Sequence, residues 1–215
     1  MKPLTTPYQV ALLAAVVLTV FYPSLFAEIS LVDDLQAITA VFNDDNMSLR
    51  TIFFPRSVGG GYYRPFIGVS YWIDREWFGL EGRLMHFELV VAHLLNGLLV
   101  FACMRKLSVL CLKQSGGGLP LIAGLIFAIH PLTTESVNWI SGRTDVMMAN
   151  FLLFSFLLLL QYKQTSRRVW FWLSIIIATG GLFAKEAAFG YLLMLPFLFA
   201  ISFDGPSISI GNRES

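Results

Sequence analysis

The sequence predicts an all-α integral membrane fold in which about six helices cross the bilayer. Three observations carry that expectation. Hydrophobic residues fill 56% of the 215 positions and charged residues only 13%, about half the charged share of an ordinary soluble domain. The mean hydropathy is +0.67, so a water-soluble fold of this composition would expose large apolar patches. Finally, apolar runs approaching the roughly 20 residues that a helix needs to cross a hydrocarbon core of about 30 Å recur along the chain. A net charge of +1 gives no sign of a nucleic-acid partner. Cys103 and Cys111 form no CxxC pair, so neither a disulfide framework nor a zinc site is expected.

The first span is expected at 8–27. It follows Lys2, is long, contains Pro23 and lacks a small-x-small cleavage site at Leu25–Ala27, so it reads as an uncleaved signal anchor. The stretch 28–82 is too charged to span and is expected as a large loop. Within it, 35–42 and 66–80 are amphipathic pieces suited to helices lying on a membrane surface, separated by a turn at Gly59, Gly60 and Gly61. Further spans follow at 83–104, 119–131 (short, closed by Pro131), 146–162, 169–183 and 187–203, so that 1–203 forms one membrane module and 204–215 a polar tail. With the N-terminus inside, Lys2, Arg105, Lys106, Lys113, Lys163, Arg167, Arg168 and Arg213 face inward against only Asp204 and Glu214. That asymmetry follows the positive-inside rule. Tyr22, Trp72, Trp77, Trp139, Tyr162 and Trp170 sit near span ends as an interfacial aromatic belt. The large loop therefore faces outward, to the periplasm of a bacterial inner membrane or to the lumen of a eukaryotic endoplasmic reticulum.

Ionisable groups at membrane depth are costly, and each is a functional candidate. Four groups stand out, all in the outer half. Asp33 and Asp34 offer adjacent carboxylates, for general-base work or cation binding or for capping a helix that begins at Leu35. His86, His93 and Asn96 share one helical stripe, with His93 roughly 14 Å deep and suited to an interhelical hydrogen bond. Glu88 points off that stripe towards an expected arginine partner in the outer loop. The third group is His130, Glu135, Asn138, Arg143 and Asp145, in which Arg143 either pairs with Asp145 or meets a phosphate. The fourth is Lys185 with Glu186 at an outer turn, either a snorkelling lysine beside a neighbouring acid or a phosphate contact. The sequence contains no phosphate-binding glycine loop, no HExxH and no nucleophile elbow. No spacing fixes a metal; the acidic loop has room for a divalent cation without demanding one.

Five segments in order, VDDLQAI (32–38), YYRPF (62–66), FGLEGRLMHFELVVAHLLN (78–96), HPLTTESVNWISGRTD (130–145) and AKEAA (184–188), resemble the N-terminal membrane part of the tetratricopeptide-repeat protein O-mannosyltransferases, members of the GT-C superfamily of glycosyltransferases. The resemblance runs over 31–199. It departs at Glu88, where that family more often carries a neutral polar residue, and the family has further spans and often a repeat domain beyond the region matched. The resemblance implies transfer of a mannose-like hexose from a polyprenyl-phosphate donor, itself a membrane lipid, to a hydroxyl of a protein or glycan acceptor on the outer or lumenal face. It implies Asp33 or Asp34 as the base. The developing charge on the leaving phosphate needs fixed cations, for which Arg143 and Lys185 are expected, followed by Arg64 and His130. His86, His93, Glu135, Asp145 and Glu186 would support them. Two other readings stand beside this one: a non-catalytic membrane module, and a transporter of lipid-linked sugar, against which the almost purely apolar inner halves of the last three spans count.

Overall fold

The computed structural model describes residues 5–31, 33–42, 44–55, 62–113 and 117–201, without the side chains of 40–42; Lys2, Gly59 to Gly61 and the tail from Asp204 lie outside them. Among the described residues every regular element is helical: α1 (Thr6–Val20), α2 (Asp34–Phe42), α3 (Leu49–Phe53), α4 (Pro65–Phe78), α5 (Gly82–Leu112), α6 (Leu119–Ala128), α7 (Pro131–Asn138), α8 (Arg143–Thr165), α9 (Arg168–Leu182) and α10 (Ala188–Ala200). Proline occupies the first turns of α1, α4, α6 and α7, where its missing N–H costs no helical bond. The chain leaves α4 through Gly79 at φ +65°, a left-handed stop that glycine adopts without strain. This turn reverses the chain into α5.

Among the described residues, three stretches qualify as membrane spans by length and composition: Thr6–Phe26, Gly82–Leu112 and Ile140–Thr165. A fourth arises if α6 and α7, bent by 55° at His130–Pro131, count as one broken span. The helices α9 and α10 are apolar but only 15 and 13 residues long. The expected six spans therefore reduce to three or four by this measure. Still, α9 and α10 run alongside α8 over most of its length. Lys185, between them, bonds Asp145 at the outer end of α8, while Lys163 near its inner end bonds the Phe199 carbonyl. Those α8 positions are about 27 Å apart at 1.5 Å per residue. Midway, Ser155 of α8 donates to the Ser174 carbonyl (2.8 Å) and lies 3.2 Å from the Tyr191 hydroxyl.

The bundle is knit by small residues and buried amides. A Cβ on Gly124 would lie 3.2 Å from the Gly97 carbonyl oxygen, so the backbones of α5 and α6 approach closely, as small residues permit in membrane helices. His93 Nε2 lies 2.8 Å from the Ala128 carbonyl, and Asn96 donates to the Val146 carbonyl at 3.0 Å. These two bonds tie α5 to α6 and α8. One core cluster, with Leu13, Val17, Leu89, Phe101 and Val146, fills the bundle. A second, with Ile67, Tyr71, Met85, Ile140 and Ala184, lies where α4 covers the outer ends of α5 and α8.

Candidate functional site

The two adjacent aspartates face different surroundings. The Asp33 carbonyl accepts the Ala37 N–H at 3.1 Å, in the opening turn of α2, and the Asp33 side chain is exposed. Asp34 is fully buried. Its Oδ1 accepts from the Ser141 N–H at 2.7 Å and its Oδ2 from the Ser30 N–H at 3.2 Å. Asp34 thereby ties the chain leaving the first span to the turn before α8, across 107 residues of sequence. Successive helical residues diverge by about 100°, so one carboxylate turns inward and the other stays open.

Asp33 lines an outer cavity of about 580 Å³ together with Glu135, Ser136 and Trp139 of the α7 region and Ser141, Gly142 and Asp145 at the start of α8. Gly142 is required there: a Cβ would fall 2.5 Å from the Ser136 carbonyl oxygen. Lys185 Nζ lies 2.5 Å from the Oδ1 of Asp145, one of the residues that line the cavity. Its remaining N–H groups can donate to another oxygen. Next to it, Glu186 receives a bidentate clasp from Arg64, at 3.0 Å from Nε and 2.7 Å from Nη2. Those hydrogen bonds hold the Glu186 carboxyl below its ordinary value of 4.5. Among the described residues, no group of three or more His, Cys, Asp or Glu is placed to hold a metal ion.

Behind the cavity lies a buried polar cluster. Arg143 is 3% exposed and donates from Nη1 to Asp74 Oδ2 at 2.6 Å and to Ser70 Oγ at 3.0 Å, and from Nε to the Ile140 carbonyl at 3.3 Å. Its guanidinium carbon sits 4.1 Å from the Tyr71 ring centre. Burial pushes the Tyr71 hydroxyl above its ordinary 10.0, against the pull of Arg143. The expected Arg143–Asp145 pair does not form, because each partner finds a nearer opposite charge on another element. Glu88 has Asp74 and Arg143 as its charged neighbours. The Tyr71 hydroxyl, Asp74 Oδ1, Arg143 Nη2 and both His86 ring nitrogens are buried without a protein hydrogen bond of good geometry, although the Ala27 carbonyl is close to His86. Each such group costs about 1–3 kcal/mol if left dry, so this polar cluster is set into the second core cluster at a cost.

His130 Nδ1 accepts the Leu132 N–H at 3.2 Å and caps α7, leaving Nε2 as the free ring nitrogen. His93 belongs to the interhelical bonding described above, away from the cavity. Sequence reasoning passed over Ser70, Tyr71 and Asp74 on α4. Their spacing was the available signal, since offsets of one and four residues put all three on one helix face.

The chain is similar to proteins named protein O-mannosyl-transferases. It is 36% identical over 115 residues to protein O-mannosyl-transferase tmtc2 of Xenopus laevis, a match covering 52% of this chain and 13% of that protein. The corresponding figures for TMTC2 of Homo sapiens are 33% over 114 residues, 51% and 13%. For TMTC4 of Mus musculus they are 38% over 74 residues, 31% and 10%. The chain thus spans a small part of the length of these relatives. No family model matches it, and no solved structure does.

Proposed function

We propose that this chain carries the donor-and-acceptor site of a GT-C-type membrane glycosyltransferase, which moves a mannose-like hexose from a polyprenyl phosphate to a protein or glycan hydroxyl at the outer face. The observation that supports this reading is that Asp33 and Asp145 line one cavity and that Asp145 is paired with Lys185. A reacting sugar held there has a base and a cation at hand together, the positioning that makes such transfers fast. The similarity to protein O-mannosyl-transferases over half the chain supports it.

In this reading Asp33 takes the proton of the acceptor hydroxyl as its oxygen attacks the anomeric carbon. The bond from that carbon to the phosphate oxygen breaks, and the phosphate leaves with the electron pair. Lys185, with Arg64 nearby, stabilises the charge that develops on it. Asp34 and Arg143 act as positioning residues: Asp34 fixes the turn at Ser141, and Arg143 anchors α4 over α8. The lipid tail of the donor lies among the apolar spans.

The test is transfer of radiolabelled mannose from polyprenyl-phosphate mannose to an acceptor peptide by the full chain in lipid nanodiscs. Asp33→Asn is expected to lower transfer by about 100-fold or more with unchanged thermal unfolding. Lys185→Met is expected to weaken donor binding as well as turnover. Full transfer by both variants would remove the assigned roles.

A further inference from the structure

We propose that a second site, at the opposite end of the bundle from the outer cavity, binds one anionic glycerophospholipid of the inner leaflet. The groove between the inner ends of α5 and α8 encloses about 870 Å³. Its walls are amphipathic in depth. Towards the bilayer centre they consist of Phe101, Ala102 and Leu157; towards the inner end they present Arg105, Lys106, Lys113 and Lys163, with Val109, Leu110 and Gln164 among them. From Phe101 to Lys113 the helix rises about 18 Å, enough for the glycerol backbone and first acyl carbons of a lipid to follow the apolar wall while its phosphate meets the cations.

The charge is one-sided. Among the described residues no acidic side chain lines the groove. Lys106 is held in place by the side-chain carbonyls of Gln161 and Gln164, and Lys163 by the Phe199 carbonyl. Neither contact supplies a negative charge. Among the described residues Arg105 and Lys113 have no ion-pair partner. Loop charges that only set orientation need no common cavity; here four cations converge on one, two of them braced by neutral acceptors. Juxtamembrane cations gain about 1 kcal/mol each from anionic lipid, and basic pockets between inner helix ends suit its headgroups. This inference is independent of any sugar transfer at the outer face.

The test uses the full chain, purified from nanodiscs made with equal amounts of phosphatidylglycerol and phosphatidylcholine, with retained lipid identified by mass spectrometry. Phosphatidylglycerol is expected to be enriched on the wild type. Arg105→Gln and Lys113→Gln should each reduce that enrichment about fivefold. The charge-preserving pair Arg105→Lys and Lys113→Arg should keep it. Unfolding temperatures of all variants in phosphatidylcholine alone serve to separate loss of lipid from loss of fold. Equal retention of both lipids by the wild type, or unchanged enrichment in folded Gln variants, overturns the proposal. So does complete displacement by glycerol phosphate at equal concentration, since that would mark a soluble phosphate site.

Discussion

Arg143 is held by four contacts inside the fold, to Asp74, Ser70, the Ile140 carbonyl and the Tyr71 ring, and its cost of removal is predictable. It is 3% exposed and meets Asp74 at 2.6 Å. Removing one partner of a buried pair leaves the other charged and unsolvated, a loss of about 3–5 kcal/mol. Arg143→Met is therefore expected to unfold well below the wild type in a thermal scan in nanodiscs, and Arg143→Met with Asp74→Leu to recover part of the loss. A scan in which the single variant matches the wild type would mean that the pair contributes nothing. The exposed clasp of Arg64 on Glu186 behaves differently. Here the folded carboxyl sits below its ordinary 4.5. Its stabilising effect is therefore fully present above that value and is lost as pH falls through the lower, folded value. The difference in unfolding temperature between the wild type and Glu186→Gln should accordingly be constant near neutral pH and shrink to nothing under acid.

Among the elements, the tight turn joining α7 to α8 controls the cavity. It carries Ser141, whose N–H holds Asp34, and Gly142, whose missing Cβ lets α7 lie against it. A methyl group 2.5 Å from the Ser136 carbonyl oxygen must push α7 away, because the obstacle is backbone and cannot rotate aside. Gly142→Ala is expected to cost about 1–3 kcal/mol by overpacking and to reduce transfer more than Ser136→Ala, which leaves the backbone in place. Similar stability and activity of both variants would show that the turn yields without disturbing the site. The helix α10 illustrates a different point: Lys185 just before it and Phe199 near its end are tied to the two ends of α8, although it has only 13 helical residues.

For the molecule as a whole, the arrangement separates two chemistries by the thickness of the bundle. Carboxylates line the cavity at the Asp33 end of the bundle, and cations line the groove at the opposite end. Cys111 is exposed near the inner end of α5, while Cys103 is buried. An impermeant maleimide is expected to label Cys111 only from the side bearing the basic loops. In a Cys111→Ser background, Glu186→Cys should be labelled only from the opposite side. Labelling of both from one side would contradict the orientation and the proposed place of the sugar-transfer site.

The sequence alone determined the all-helical membrane class and the end of the bundle that gathers polar groups, but not how many helices are long enough to span. These depend on composition, apolar run length and the spacing of residues along one helix, all of which are local. It also marked Asp33, Asp145 and Lys185 as candidates, because charge at membrane depth is costly wherever the chain folds. What only the tertiary structure decided is which charge meets which. Arg143 reaches Asp74 across 69 positions rather than Asp145 two residues away, and Arg64 reaches Glu186 across 122. The same holds for the neighbouring aspartates, which look equivalent in sequence until the Ser141 N–H, brought round by α5 to α7, captures one and leaves the other in the cavity. Pairing is a matter of distance and desolvation between elements, and a local pattern fixes only the face from which each side chain departs.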